Sequence, residues 1–157
     1  VEVFFANNQI LFRSEHISFY TRLLEGNYSD TDRLIPTEFN TEATFNVANL
    51  RFAMERARLL SNATQNGTVK LEFKNGVVSS HVHSPEVGRV NEEIDTSAVS
   101  GEDLSISFNP TYLIEALKAI DSEQVVIRFI SSVRPFTLVP EGNEQGFIQL
   151  ITPVRTN

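Results

Sequence analysis

Two pairs of side chains in this sequence have the types and the spacing of metal ligands. His81 and His83 lie two residues apart in a β-like run, so both imidazoles should point to one face of a strand. Asp30 and Asp32 form an Asp-x-Asp in a turn-rich segment, where paired carboxylates suit Mg²⁺. A metal-dependent hydrolase that uses these four residues is therefore one hypothesis. The alternative is that they are ordinary polar strand and turn residues.

Composition limits the remaining chemistry. The sequence contains no Gly-x-Ser-x-Gly elbow and no glycine-rich phosphate loop. It has no cysteine, which excludes thiolate metal sites and fits a reducing, cytoplasmic location. A net charge of -7 over 157 residues disfavours a broad basic surface for nucleic acid but leaves room for a local basic face. We expect no catalytic residues, no cofactor and no bound metal.

An internal repeat organises the chain. The segments Phe45–Ser61 and Phe108–Ile120 both open with Phe-Asn at the end of a β-like run, continue as a short amphipathic stretch, and are followed by a strand-like run. Helices are predicted over 47–61 and 110–120, with an asparagine at the N-cap of each and Pro110 in the first turn of the second. Two strand–helix–strands units thus indicate a pseudo-symmetric domain.

A three-strand pattern occurs at residues 1–24, 69–94 and 125–152, but only the last two copies follow a predicted helix. We therefore expect residues 1–24 to end a preceding module whose front half is absent, and the turn-rich stretch after them to be a linker. The predicted organisation is a remnant with its linker at 1–36 and a domain at 37–157. Its class is α+β, a duplicated βαβββ module with two helices on one face of antiparallel sheets.

Two surfaces of the predicted domain suggest binding. Arg51, Arg58 and Lys118 place positive charge on exposed helix faces, which would suit sequence-independent contact with phosphates. Intrahelical pairs with Glu55 and Glu115 explain the same charges without a ligand.

At the other surface, an apolar final strand, 147–152, is followed by Pro153, Val154 and Arg155. The strand itself is explained as core, by Phe147, Ile148, Leu150 and Ile151. Exposed apolar residues beside an arginine are typical of a peptide-docking groove, and a frayed tail is the alternative.

Four segments, in this order, resemble one family, the bacterial DNA sliding clamps (the β subunit of DNA polymerase III). They are LEGNYSDTDRLIP at 24–36, RARLLSN at 56–62, FNPTYLIEAL at 108–117, and SVRP at 132–135 with LITPVR at 150–155. The resemblance implies the DNA-clamp fold and a head-to-tail homodimeric ring whose helices face duplex DNA. It also implies a non-catalytic processivity factor that tethers polymerase, clamp loader and repair proteins through linear peptides.

The resemblance also implies residue roles. The peptide groove would be formed by Arg33, Leu34, Asn109, Tyr112, Val133, Pro135, Leu150, Ile151, Thr152, Pro153, Val154 and Arg155. The subunit contact would use Leu59 and Leu60 together with the edge strand near Glu86 to Glu93, including Glu92.

The sequence departs from the family at two places, Ser29, where the family usually has Pro, and Gln65, which is aromatic in some relatives. The first domain of the family and the front half of the second are absent from this sequence. The present chain is therefore not expected to close a ring. A protein-interaction adaptor that does not bind DNA is a further alternative.

Overall fold

A computed structural model gives the fold of the chain and describes residues 1–27, 30–61, 67–84, 88–143 and 146–155. The chain divides into two compact units, Val1–Leu34 and Ile35–Asn157. This division falls two residues before the predicted boundary. No helix among the described residues is long and apolar enough to cross a membrane.

The first unit is an antiparallel meander of β1 (Glu2–Phe5), β2 (Gln9–Arg13) and β3 (Ser18–Arg22), followed by a 3₁₀ helix at Asp32–Leu34. The pair Asn7-Asn8, between two β-like runs, predicts a two-residue hairpin turn. This turn is confirmed, because the Ala6 N–H donates to the Gln9 carbonyl at 2.9 Å. The run HISFYTRLL at 16–24 predicts a third strand that starts at His16, and this start is wrong. His16 lies in the turn before β3, which the Ser14 N–H closes by donating to the Ile17 carbonyl at 2.8 Å.

The second unit contains the two repeats and a short strand between them. The first repeat consists of β4 (Thr41–Asn46), α1 (Val47–Ser61), β5 (Val69–Lys74), β6 (Val77–Ser84) and β7 (Gly88–Ile94). The strand between the repeats is β8 (Ala98–Gly101), which has no counterpart among the predicted strands. The second repeat consists of β9 (Leu104–Phe108), α2 (Pro110–Lys118), β10 (Gln124–Phe129), β11 (Phe136–Pro140) and β12 (Gln149–Ile151).

These strands form two antiparallel sheets, with the orders β12-β11-β10-β4-β8 and β7-β6-β5-β9. The opening strand of each repeat pairs with the other repeat: β4 with β10, where Phe45 faces Val125, and β9 with β5, where Phe108 faces Val69. The helices α1 and α2 pack against each other. The predicted α+β class with a duplicated βαβββ module is therefore confirmed.

The core is dominated by phenylalanine. Phe45 and Phe108, the first residues of the two repeat motifs, are both fully buried. The Phe129 ring lies 4.9 Å from the Phe73 ring and 5.1 Å from the Phe136 ring, and Phe136 meets Phe108 edge-on at 5.2 Å. Rings at these separations attract each other in addition to the apolar area that they bury. The two sheets are thus joined by one aromatic cluster.

Two predicted boundaries differ from the structure. The helix α2 ends at Lys118, two residues early, because the N–H groups of Ala119 and Ile120 donate to carbonyls three residues back, which tightens the last turn. The final strand begins at Gln149, so the prediction that Ile148 belongs to the core is wrong: Ile148 is exposed, whereas Phe147 packs against the core.

Gly101 offers a sharp test of this packing. Its φ is +99°, and an added Cβ would lie 1.9 Å from the Asn40 carbonyl oxygen. Gly142 also has a positive φ, +78°, but a Cβ there meets nothing within 4 Å. We expect Gly101→Ala to lower the free energy of unfolding by about 3 kcal/mol or more, and Gly142→Ala by only the backbone strain of about 1–2 kcal/mol. Urea denaturation measures both, and equal losses would contradict the close approach at Gly101.

Candidate functional site

An open cleft of about 470 Å³ lies between α2 and β12. The helix contributes Tyr112, Glu115 and Ala116, which are three and four residues apart and therefore share one helix face. The strand side contributes Gln149, Leu150, Ile151 and Thr152. Tyr112 is 59% exposed, so its ring is available to a ligand. The arrangement combines an aliphatic and aromatic wall with a few polar groups, which is typical of sites that bind apolar peptide side chains.

The start of α2 fixes the position of Tyr112. Asn109 has an extended backbone, and its Oδ1 accepts a hydrogen bond from the Thr111 N–H at 2.9 Å, as an N-cap does. Pro110 occupies the first helical position, where its missing N–H costs nothing. The Tyr112 N–H donates to the Asn109 carbonyl at 3.2 Å. Asn109 does not itself line the cleft, and its Oδ1 caps the helix that carries Tyr112.

The C-terminal tail is held to the second sheet. Ile151 is buried opposite Phe136, and the chain then leaves β12. The Val154 N–H donates to the Ser107 carbonyl at 2.7 Å, so the tail lies along β9. This hydrogen bond argues against a frayed tail over the described residues 152–155.

The structure brings together only some of the predicted groove residues. Tyr112, Leu150, Ile151 and Thr152 line one cleft, whereas Val133 and Pro135 lie in the loop between β10 and β11 and do not line it. Sequence reasoning missed three lining residues, Glu115, Ala116 and Gln149. Helical spacing from Tyr112 would have indicated the first two of these.

Pro153, Val154 and Arg155 of the predicted groove follow the cleft in the tail and do not line it. Two further predicted groove residues, Arg33 and Leu34, belong to the first unit. Arg33 pairs with Asp30 at 2.9 Å, and Leu34 is exposed.

The two helices form a second, smaller cleft, about 200 Å³ in volume. Arg51 at the start of α1 and Lys118 at the end of α2 both line it, but Arg58 does not. Arg51 Nε lies 3.8 Å from the Glu55 carboxylate, and Lys118 Nζ lies 2.9 Å from that of Glu115. Arg51 and Lys118, two of the three predicted positive charges, therefore lie in the same cleft. Each also forms the ion pair within its own helix that was the alternative explanation for its charge.

A third cleft, of about 270 Å³, lies between α1 and β7. Arg56 on the helix and Glu92 on the strand form an ion pair there, and the hydrogen bond to that carboxylate raises the pKa of Arg56. Phe52 and Leu59 on the same helix are 49% and 72% exposed, whereas Leu60 packs against the core. Glu86 lies outside the described residues, as do Ser29 and Gln65.

The first and third clefts are equivalent under the internal repeat. Asn49 and Ala53 occupy the same positions in the first repeat, counted from Phe45, as Tyr112 and Ala116 occupy in the second, counted from Phe108. In each case the helix meets the last strand of its repeat. The domain therefore presents the same helix–strand surface twice, with different side chains.

The metal hypothesis gains no support from the described residues. His81 Nδ1 lies 2.7 Å from Asn91 Oδ1, and His81 Nε2 lies 3.5 Å from the Glu72 carboxylate, so this histidine is engaged by its strand neighbours. His83 is exposed. Among the residues that the structure describes, no three His, Cys, Asp or Glu side chains form a group that could hold a metal ion. The side chain of Asp32 lies outside the described part.

Comparisons with known proteins agree on one family. The model of the DNA polymerase III beta subunit, C-terminal domain, matches residues 32–155. The beta sliding clamp of Streptococcus pneumoniae serotype 4 is 79% identical over all 157 residues, and that of Lactococcus lactis is 55% identical over 159 aligned positions. In both cases the chain spans 42% of the length of the relative.

Solved structures give the same result. The crystal structure of the DNA polymerase III beta chain from Streptococcus pneumoniae superposes with a TM-score of 0.91 at 78% identity, over 98% of this chain and 41% of that one. The DNA polymerase sliding clamp from Bacillus subtilis superposes with a TM-score of 0.87 at 37% identity, over 99% and 41%.

The cap at Asn109 yields a prediction. Asn109→Ala removes the side-chain acceptor for the Thr111 N–H, so we expect the free energy of unfolding to fall by about 1 kcal/mol. Asn109→Ser keeps an acceptor and should lose only a small part of that amount. Thermal unfolding followed by circular dichroism measures both variants. A serine variant as unstable as the alanine variant would show that the amide does not act as a cap.

Proposed function

Because the chain belongs to the DNA polymerase III beta subunit family, we propose that it is the C-terminal part of a sliding clamp, a processivity factor without catalytic activity of its own. The full-length protein would encircle duplex DNA and tether DNA polymerase, clamp loader and repair proteins in the cytoplasm. The observation that carries this proposal is the 79% identity to a beta sliding clamp in an alignment that covers all 157 residues of the chain.

The paired helices are the proposed DNA-facing surface. Arg51 and Lys118 converge on the cleft between them, and Arg58 adds a third cation on α1. Long cationic side chains contact phosphates without reading base sequence. Their partial neutralisation by Glu55 and Glu115 and the net charge of -7 keep such contacts weak, which suits a ring that must slide.

The cleft between α2 and β12 is the proposed peptide groove. Tyr112 and Leu150 offer exposed apolar surface, and Thr152 offers hydrogen bonding. The tail 152–155 runs onward along β9 and carries Arg155. A linear peptide would place an apolar side chain in the cleft and use the polar groups for orientation. In the full-length protein, Arg33, Leu34, Asn109, Val133 and Pro135 would extend this groove.

The surface at α1 and β7 is the proposed subunit contact of a head-to-tail homodimer. β7 is an end strand of its sheet among the described residues, so its backbone groups can pair with a strand of another subunit. Leu59 and Phe52 supply exposed apolar area beside that strand, and the Arg56–Glu92 pair supplies charge. The resemblance adds Leu60 and Glu86 to this contact.

Peptide titration tests the groove. The probe is a fluorescein-labelled peptide with adjacent leucine and phenylalanine side chains, measured by anisotropy on the full-length protein. We expect Tyr112→Ala to weaken binding by about 2 kcal/mol, or about thirtyfold, because a central aromatic contact is lost. Arg155→Ala should weaken it less, and Tyr20→Ala, at another exposed tyrosine, should leave it unchanged. Binding that is indifferent to Tyr112 and Arg155 would contradict the assignment.

Topology-dependent retention tests the ring and separates a clamp from a DNA-independent adaptor. The full-length protein is assembled by its clamp loader on a nicked circular plasmid and isolated by gel filtration. We expect it to stay bound until the plasmid is linearised, because a closed ring leaves only over an end. Leu59→Asp should abolish retention by placing a charge in the subunit contact. Equal retention on circular and linear DNA would refute the ring.

A further inference from the structure

A cleft of about 450 Å³ lies on the four-stranded sheet, and apart from the edge strand β7, which also belongs to the proposed subunit contact, it lies outside the proposed surfaces. Its lining is polar and basic except for one valine: Thr68, Lys70, His81, Val82, His83, Arg89, Asn91 and Ser107. None of the lining residues that the structure describes is acidic, although the molecule as a whole carries seven more acidic than basic groups. The lining therefore concentrates positive charge on an acidic protein.

Strand register places these side chains on one face. Lys70 on β5 is opposite Ser107 on β9 and His81 on β6, and His81 is in turn opposite Asn91 on β7. Residues that pair directly across a sheet project from the same face. The alternate residues of β5, Val69 and Leu71, are buried in the core. The cleft thus crosses all four strands on the solvent face, from β9 to β7.

The fixed charges of the cleft are Lys70 and Arg89. Lys70 Nζ lies 3.6 Å from Glu72, a loose pair, and Glu72 is shared with His81. Arg89 has no carboxylate within 4.0 Å among the described residues. Glu93, on the same face of β7, lies opposite Ser79, beyond Asn91. A ligand with carboxylates could therefore pair with Lys70, which is loosely paired, and with Arg89, which has no carboxylate partner among the described residues.

His81 adds a polar atom that lacks a hydrogen bond. Its Nδ1 is 2.7 Å from Asn91 Oδ1, so Nδ1–H is the donor there. Its Nε2 is buried and has no hydrogen-bond partner among the described residues. A hydrogen-bonding group of a bound peptide would remove the cost of this unsatisfied nitrogen, whose nearest acidic neighbour is the Glu72 carboxylate at 3.5 Å.

This cleft adjoins the C-terminal tail. The Val154 N–H donates to the Ser107 carbonyl, and Ser107 also lines the cleft. The tail therefore runs along β9 at the border between the proposed peptide groove and the basic cleft. The Ser107 residue thus holds the tail that leaves β12 and at the same time borders the basic cleft.

We infer that the peptide groove extends across the solvent face of the four-stranded sheet into this cleft, and that partner peptides carry carboxylate side chains beside their apolar anchor. This inference rests on the proposed function. The anchor supplies affinity, and the acidic flank, which Lys70 and Arg89 recognise, selects among partners. Charged groups at the rim of an interface act chiefly on specificity and association rate.

The test compares two flanks on one anchor. Four peptides are made from the leucine–phenylalanine peptide, each with a Gly-Ser spacer and three added residues. In the first pair, three aspartates or three asparagines precede the anchor. In the second pair, the same residues follow it. In one of the two pairs, we expect the aspartate peptide to bind the full-length protein about fivefold more tightly than the asparagine peptide at low salt, the combined effect of two exposed ion pairs. At high salt the two peptides should bind about equally tightly, because exposed charges are then screened.

Charge-neutral variants locate the effect. Lys70→Gln and Arg89→Gln should each reduce the aspartate preference and leave the asparagine peptide unchanged. The matched control is Lys74→Gln, which removes the same charge from the same face of β5 but outside the cleft, and which should keep the full preference. An aspartate preference that is absent, or that Lys74→Gln reduces as much as Lys70→Gln does, overturns the inference.

Two further outcomes are distinguishable. If the asparagine peptides bind and respond to Tyr112→Ala but no aspartate preference exists, the groove stands and its extension is wrong. If neither peptide responds to Tyr112→Ala, the proposed groove fails and the extension fails with it. A fluorescent ten-residue oligothymidylate that displaces the aspartate peptide and binds more tightly would assign the cleft to nucleic acid and overturn the peptide inference.

Discussion

The exchange of strands between the two repeats is the constraint on which the rest of the second unit depends. β4 begins the first repeat but pairs with β10 of the second, and β9 begins the second repeat but pairs with β5 of the first. Phe45 and Phe108 sit on these exchanged strands and are fully buried. Neither repeat can complete a sheet or cover its own phenylalanine alone, so we expect the two halves to fold as one cooperative unit.

Because the exchange fixes the backbone at both ends of the domain, the side chains alone distinguish the two ends. The helix–strand surface presents Asn49 and Phe52 at one end, and Tyr112 and Glu115 at the equivalent positions of the other. Arg56 at the first end is replaced by Ala119 at the second. The first set combines an exposed ring with an ion pair across to β7, whereas the second leaves an open cleft beside β12. Duplication supplied one scaffold, and substitution at a few exposed positions gave it two kinds of contact.

Most of the fold could be predicted because its signals are local or repeated. The Phe-Asn motif, the helix caps and Pro110 specify α1 and α2 to within two residues. The strand β8 escaped prediction because AVSG has no apolar alternation, and it forms only because β4 offers an unpaired edge. Ile148 was placed in the core because its neighbours are apolar, but the strand that would bury it starts one residue later.

The candidate site was harder to predict because it depends on contacts between distant residues. Tyr112 and Leu150 are singled out only by the family resemblance, since no periodicity brings α2 next to β12. The tail reads as a free end, yet the Val154–Ser107 hydrogen bond ties it to β9 while Ile151 stays in the other sheet. The segment from Ile151 to Val154 therefore connects the two sheets beside the cleft. A cleft beside such a segment is held by both sheets, so its shape is set by the core, to which Ala116 and Ile151 belong, while Tyr112 remains exposed.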